Sequence, residues 1–255
     1  MKKIMWTLIV FGAFILFYLI MIYPAKGQFH HGGFGNFFAG AASHSSTSLQ
    51  RALNAGEIIG GDLQLNSTAF TFGGAGYSVR PGGIVIGGSG YAYELTSRGR
   101  NGRIKLDNGG GFFNVGYRVV ASGKWLGFPY AGMGGYGANF RIHNTSDKTL
   151  VVGRDSIASG KMSKYSTGGM AFDMGFALKY FGFKPNLKNN HRSVGPVFGL
   201  DVGGSCFPSF ERWRNIVTDD EVGSIERPFI MVAYIRATIG LGVFSDNSGG
   251  PRYKY

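Results

Sequence analysis

Within residues 230–244 every second position is apolar: Met231, Ala233, Ile235, Ala237, Ile239, Leu241 and Val243. Seven apolar residues in strict alternation demand a β-strand, because only a period-two backbone gathers them on one face. The opposite face holds Tyr234, Arg236, Thr238, Gly240 and Gly242. The pattern recurs upstream. Met170, Phe172, Met174, Phe176, Leu178 and Tyr180 alternate with Gly169, Asp173, Gly175 and Lys179, and Val194, Pro196, Phe198, Leu200 and Val202 alternate with Asp201, Gly203 and Ser205. Phe113, Val115, Tyr117, Val119 and Ala121 alternate with Asn114, Gly116 and Arg118. Past Ser122-Gly123-Lys124, the residues Phe128, Tyr130, Tyr136, Phe140 and Ile142 oppose Gly135, Gly137, Asn139 and Arg141, which predicts a hairpin. Weaker strands at 63–79 and 83–95 meet around Arg80-Pro81-Gly82, with a glycine bulge expected where their alternation changes face. That makes seven strands. An eighth is sought in a split of the glycine-interrupted stretches, in 216–225 or in the C-terminal tail.

Composition agrees with an all-β reading. Glycine supplies 44 of 255 residues, against a usual share of about 7 %, alongside 22 Phe and 13 Tyr. Each glycine disfavours a helix interior by about 1 kcal/mol relative to alanine, while aromatic and β-branched residues suit a pleated sheet. Before the strands, Lys2 and Lys3 precede an apolar run to Tyr23 and the small residues Ala25 and Gly27, the three parts of a secretory signal peptide over 1–27. The run is also long enough for a retained membrane anchor, and either form exports the remainder. Residues 28–61 read as a flexible Gly/Phe/His segment, with one short helix expected over 46–55 from Leu49 and Leu53 one turn apart and Gly56 as a stop. Cys206 is the only cysteine, so the exported chain has no internal disulfide, and no cysteine near the leader can take a lipoprotein anchor.

Alternation suits a soluble sandwich as well as a membrane barrel, and the second face discriminates between them. A solvated face is rich in Lys, Glu, Gln and Thr; here it is mostly Gly and Ala with one or two ionisable groups per strand. Such a face fits the enclosed interior of a small barrel whose aromatic and aliphatic residues meet lipid. By parity Arg118, Arg141, Lys179 and Arg236 point inward with Asp173 and Asp201, a charge network of both signs. As a function, that network lines an anion-attracting lumen; as structure, it plugs a barrel too narrow to conduct, and the second reading is preferred.

Through the leader, the aromatic-glycine strands MAFDMGFALKYFGF and IMVAYIRATIGLGVF, and the loops 143–165 and 208–226, the chain resembles the small outer-membrane β-barrel proteins of Gram-negative bacteria. The resemblance implies an antiparallel, up-and-down transmembrane β-barrel of about eight strands over 62–244. It also implies outer-membrane localisation, contact with outer-membrane lipid and lipopolysaccharide, and insertion by the barrel-assembly machinery. The family's closing strand ends in an aromatic residue, met here by Phe244 or by the terminal Tyr255, so 245–255 is a tail or part of that strand.

Enzymatic chemistry is weakly supported. Gly132-Met133-Gly134-Gly135-Tyr136-Gly137 spells the dinucleotide fingerprint, but inside an alternating strand, with no helix to meet a pyrophosphate. Ser89 and Ser205 miss the nucleophile-elbow pattern because Tyr91 and Phe207 occupy its last position. Adjacent His30 and His31 lack further ligands nearby, His44 and His191 stand alone, and His143, Ser146 and Asp147 share a loop that reads as solvated. No cofactor, metal or nucleic acid is expected, although the formal charge of +12 falls only to +9 without residues 1–27. The expectation is a non-enzymatic barrel with a structural, surface-interaction or narrow solute-passage role. The alternatives are a soluble β-barrel or sandwich around an apolar ligand or protein, and a barrel enzyme acting on lipid or lipopolysaccharide.

Overall fold

The computed structural model describes residues 31–45, 68–98, 102–122, 124–152, 155–183, 193–209, 212–216 and 229–245. Eight long strands dominate them: β1 (His31–Ser45), β2 (Thr68–Val79), β3 (Ile84–Arg98), β4 (Gly102–Tyr117), β5 (Trp125–Asn144), β6 (Met162–Phe181), β7 (Ser193–Pro208) and β8 (Phe229–Ser245). Each pairs antiparallel with its neighbour in sequence, and β8 pairs with β1. The sheet closes on itself and leaves no long edge.

The register sets the barrel's dimensions. From Gly33 of β1 the paired residues run Ser78, Ile86, Val115, Ala131, Met174, Gly204 and Ala233, then return to β1 at Ser43, ten residues on. A shear of ten over eight strands, at about 3.3 Å per residue and about 4.8 Å between strands, gives a tilt of roughly 40° and a backbone radius of roughly 8 Å. Two aromatic side chains from opposite walls suffice to span such a bore.

Strand β1 corrects the sequence reading of 28–61 as a flexible segment: its described part, 31–45, is the eighth strand. Both its faces mix glycine, alanine and phenylalanine, so neither periodicity stands out, yet Phe34, Asn36, Phe38, Ala42 and His44 are buried while Phe37 is 77 % exposed. The barrel therefore begins at His31 and not at residue 62. The leader, the helix expected over 46–55 and the tail after Ser245 lie outside the described residues.

The outer surface is apolar along most of its height. Val194, Phe198, Leu200 and Val202 of β7 and Ile235, Ile239, Leu241 and Val243 of β8 are exposed, as are Phe113, Met133, Phe172 and Met174 on β4–β6. A monomer in water does not carry an apolar band of this extent; a barrel in lipid requires one.

At the end of the barrel holding His31 and Ser245 the chain reverses tightly. Pro81 and Gly82 (φ 83°, ψ −3°) form a type II turn closed by the Gly83 amide donating to the Arg80 carbonyl at 3.1 Å. The opposite end carries the long connections 46–67, 145–161 and 209–228. The terminus end also carries the eleven-residue connection 182–192 and the opposite end the short connection 99–101, but the three longest connections share one end, as is common in outer-membrane barrels.

Candidate functional site: the packed interior and the charged outer rim

Inside the barrel glycine and aromatic residues occupy the same face. Tyr77 sits against Gly87, Phe128 against Gly116, Tyr130 against Gly175, and Tyr234 against Gly203, where a Cβ would meet ring or hydroxyl atoms. A strand without a side chain at these positions provides the notch that a ring from the next strand fills. The sequence reading assigned small residues to the lumen and aromatics to lipid; the lumen holds both.

The rings meet across the axis at two levels. Toward the termini, Phe34 of β1 lies 6.3 Å from Phe128 of β5, on the diametrically opposite wall, and 6.0 Å from Phe181; Tyr77 stands 5.3 Å from both Phe34 and Phe128. Phe244 points into this cluster, 4.8 Å from Phe181. Toward the long loops, Tyr91 of β3 lies 5.6 Å from Phe207 of β7, again an opposite strand, and Phe112 and Tyr136 pack at a tilt against the same ring. Trp213 and Ile157, both buried, add to this cluster from the long-loop side. Asn144 organises that loop, donating from Nδ2 to the carbonyls of Lys148 (2.7 Å) and Ile157 (2.8 Å).

Polar groups connect the two aromatic layers. Buried Lys179 donates to Asp201 Oδ1 (2.5 Å) and Thr238 Oγ1 (3.0 Å), with Gly199 opposite it on β7 giving room for its stem. Asp173 Oδ1 accepts from Ser205 Oγ (2.7 Å) and Tyr234 OH (2.9 Å), and the Tyr234 and Tyr130 hydroxyls share a hydrogen bond of 2.7 Å. Arg236 pairs in register with Asp201 and stacks on Tyr234, its Cζ 3.6 Å from the ring centroid. Two cations, Lys179 and Arg236, thus share the interior with two carboxylates, Asp173 and Asp201, and all four side chains are buried. Arg118 is buried near the terminus end just past β4.

Arg141 departs from the expected network. On β5 the residues Phe128, Tyr130, Tyr136, Phe140 and Ile142 all turn inward, which places Asn139 and Arg141 outside; Arg141 Nη2 there donates to Asp107 Oδ2 at 2.6 Å. The face assignment for this strand inverts because its bulky side chains fill the lumen. Around Arg141, Lys105 bridges Glu94 Oε2 (2.5 Å) and Asp107 Oδ1 (3.6 Å). Glu94, Lys105 and Asp107 are not singled out by the sequence, although the outward parity they share with Arg141 is the signal that marks them.

The glycine run 132–137 lies wholly within β5, and added Cβ atoms at Gly132 and Gly134 would strike Asn114 and the Gly111 backbone of β4. These glycines serve sheet packing. Ser89 accepts from Asn114 Nδ2 (2.9 Å), and Ser146 Oγ bonds Asn144 Oδ1 (2.8 Å) and the Lys148 carbonyl (3.0 Å), while His143 is exposed on the outer face. Among the described residues no group of three potential metal ligands assembles.

A closed antiparallel sheet of eight strands with aliphatic residues outside and a filled axis defines a membrane-spanning β-barrel of the outer-membrane type. No protein-family model and no curated protein sequence matches the chain. Among solved structures it is similar to Ail, the attachment invasion locus protein of Yersinia pestis, at 7 % identity and a TM-score of 0.46, over 84 % of this chain and 99 % of that one. It is similar to Neisserial surface protein A at 11 % identity and a TM-score of 0.38, over 81 % and 96 % of the two chains. It is also similar to the outer-membrane protease OmpT of Escherichia coli at 11 % identity and a TM-score of 0.35, over 87 % and 100 %. At these values the likeness assigns no residue and no activity.

Proposed function

We propose that the chain is a non-enzymatic, non-conducting barrel of the bacterial outer membrane. Its role is structural and surface-interactive, exerted through its outer wall and long loops, with outer-membrane lipid and lipopolysaccharide as its surroundings and the barrel-assembly machinery as its route of insertion. The supporting observation is the pair of ring contacts between opposite walls, Phe34 with Phe128 and Tyr91 with Phe207. In a barrel with a backbone radius of roughly 8 Å, ring contacts between opposite walls at those distances support an axis without a continuous water column. Solute passage, the other role compatible with such a barrel, requires both ring layers to part.

The test is a planar-bilayer recording on the purified full chain, after a gel with and without boiling has established a heat-modifiable folded barrel. A silent bilayer over tens of millivolts in either polarity agrees with a sealed interior. Reproducible conductance steps from folded protein refute it and restore the solute-passage role.

A further inference from the structure

Between its two ring layers the lumen holds polar atoms that no protein group answers. Along the inward faces, Asn36 stands on β1 between Phe34 and Phe38, Asn114 on β4 between Phe112 and Gly116, and Arg236 on β8 between Tyr234 and Thr238. Asn36 and Arg236 are 5 % exposed and Asn114 is 1 % exposed. Both amide atoms of Asn36, Asn114 Oδ1 and Arg236 Nε have no hydrogen-bond partner among the described residues. The strands on either side are described along this whole stretch: Asn36 pairs with Ala75 and Gly240, Asn114 with Gly87 and Gly132, and Arg236 with Gly40 and Asp201. Apart from Asp201, which accepts from Lys179, none of these neighbours has a polar side-chain atom to offer. Such groups are costly to leave unpaired in a low-dielectric interior, and are satisfied by protein or by ordered water.

The four atoms choose their ligand. Asn36 Oδ1 and Asn114 Oδ1 accept, whereas Asn36 Nδ2 and Arg236 Nε donate. Because both ends of the Asn36 amide are unpaired, the need is the same whichever way that amide is turned. A cation would leave the donors unpaired and an anion the acceptors, and either would upset a layer in which Lys179 and Arg236 already balance Asp173 and Asp201. An apolar guest would leave all four unmet. Water donates and accepts at once, carries no charge, and makes about three hydrogen bonds when buried.

We infer that this polar layer is an enclosed water site, in which bound water molecules complete the hydrogen bonds of the Asn36 amide, Asn114 Oδ1 and Arg236 Nε. The lumen is then a hydrated room with two doors and not a solid plug. Phe34 and Phe128 close it on the terminus side, Tyr91 and Phe207 on the long-loop side. Parting one ring layer admits outside water only as far as the room, and passage along the axis needs both layers apart. This rests on the sealed interior proposed above and specifies how that seal is divided.

The experiment uses full-length protein, isotope-labelled on asparagine and refolded in dodecylphosphocholine micelles, and reads magnetisation transfer from water to side-chain amide protons by NMR. Bound water gives the Asn36 Nδ2 protons cross peaks of opposite sign in the laboratory and rotating frames, a signature that proton exchange does not produce. Asn36→Leu and Asn36→Ala each delete that signal and so identify it, and a heat-modifiable band shows that each variant retains the barrel. An Asn36 amide with no water cross peak overturns the site. Bilayer recordings test the two doors independently. Phe34→Ala with Phe128→Ala stays silent, as does Tyr91→Ala with Phe207→Ala, and the combination of all four conducts. Steps from either pair alone, or silence from the folded combination, overturn the divided seal. Steps from wild type refute the sealed reading itself, a distinct outcome that removes the ground of the inference.

Discussion

The buried pair of Lys179 and Asp201 permits a quantitative test of the interior. Lys179 is wholly inaccessible, and its ammonium sits 2.5 Å from Asp201 Oδ1 and 3.0 Å from Thr238 Oγ1. With Arg236 and Asp173 the layer is neutral, two charges of each sign. Lys179→Met keeps the length and apolar volume of the stem and leaves one uncompensated carboxylate in the lumen. Breaking a buried pair in this way costs about 3–5 kcal/mol, two to nearly four orders of magnitude in the folding equilibrium. Adding Asp201→Leu restores neutrality, because one cation, Arg236, and one carboxylate, Asp173, then remain in the layer, and replacing both partners by apolar groups of similar size is close to neutral. The assay is equilibrium urea unfolding of the refolded barrel in detergent, followed by tryptophan fluorescence. With an m-value of about 2 kcal/mol/M, the single substitution lowers the midpoint by about 2 M and the double recovers most of it. A single substitution costing under about 1 kcal/mol, or a double no more stable than the single, refutes the neutral-layer argument.

Three further outcomes follow from the two faces of the wall. Ile235→Arg places a cation on the lipid-facing surface of β8 and costs about 2–4 kcal/mol, read as lost insertion into lipid vesicles; full insertion at wild-type yield contradicts the assigned face. Gly175→Val drives a side chain into the Val202 carbonyl (2.6 Å) and the Tyr130 hydroxyl (2.8 Å) and costs about 1–3 kcal/mol, whereas Gly76→Ala meets nothing within 4 Å; the two urea midpoints should separate, and coincident midpoints count against the notch packing. Cys206, the only thiol, shares the outward parity of Val202 on β7 and lies in the membrane wall, so a charged maleimide reacts with it slowly in intact vesicles and fast after denaturation. Equal rates refute that placement.

Strands β6, β7 and β8 could be read from the sequence to the correct face, because lipid selects long aliphatic side chains such as Ile239, Leu241 and Val202 on one side while Asp173, Asp201 and Arg236 can only be sheltered on the other. Strand β5 could not. Its two faces offer Phe128, Tyr130 and Phe140 on one side and glycines with Met133 on the other, and a lumen packed with rings makes bulk a poor guide to orientation; Arg141 was misplaced for that reason. Strand β1 was hidden by the opposite difficulty, since Gly33, Gly35, Ala39 and Ala41 outside resemble Gly40 and Ala42 inside. Of the candidate site, the four interior charges were legible as parity, whereas the rim cations depend on register between strands, which a single strand's pattern does not contain.

The pairing of β1 with β8 joins residues 186 to 214 positions apart, from Ser45 with Met231 to His31 with Ser245. No shorter length of chain can make that seam. Until β8 exists, β1 and β7 both present open edges, able to recruit any strand that comes near. The barrel is therefore a structure that the cell must hold unfinished until β8 has been made, and that one strand, on pairing, removes both liabilities at once.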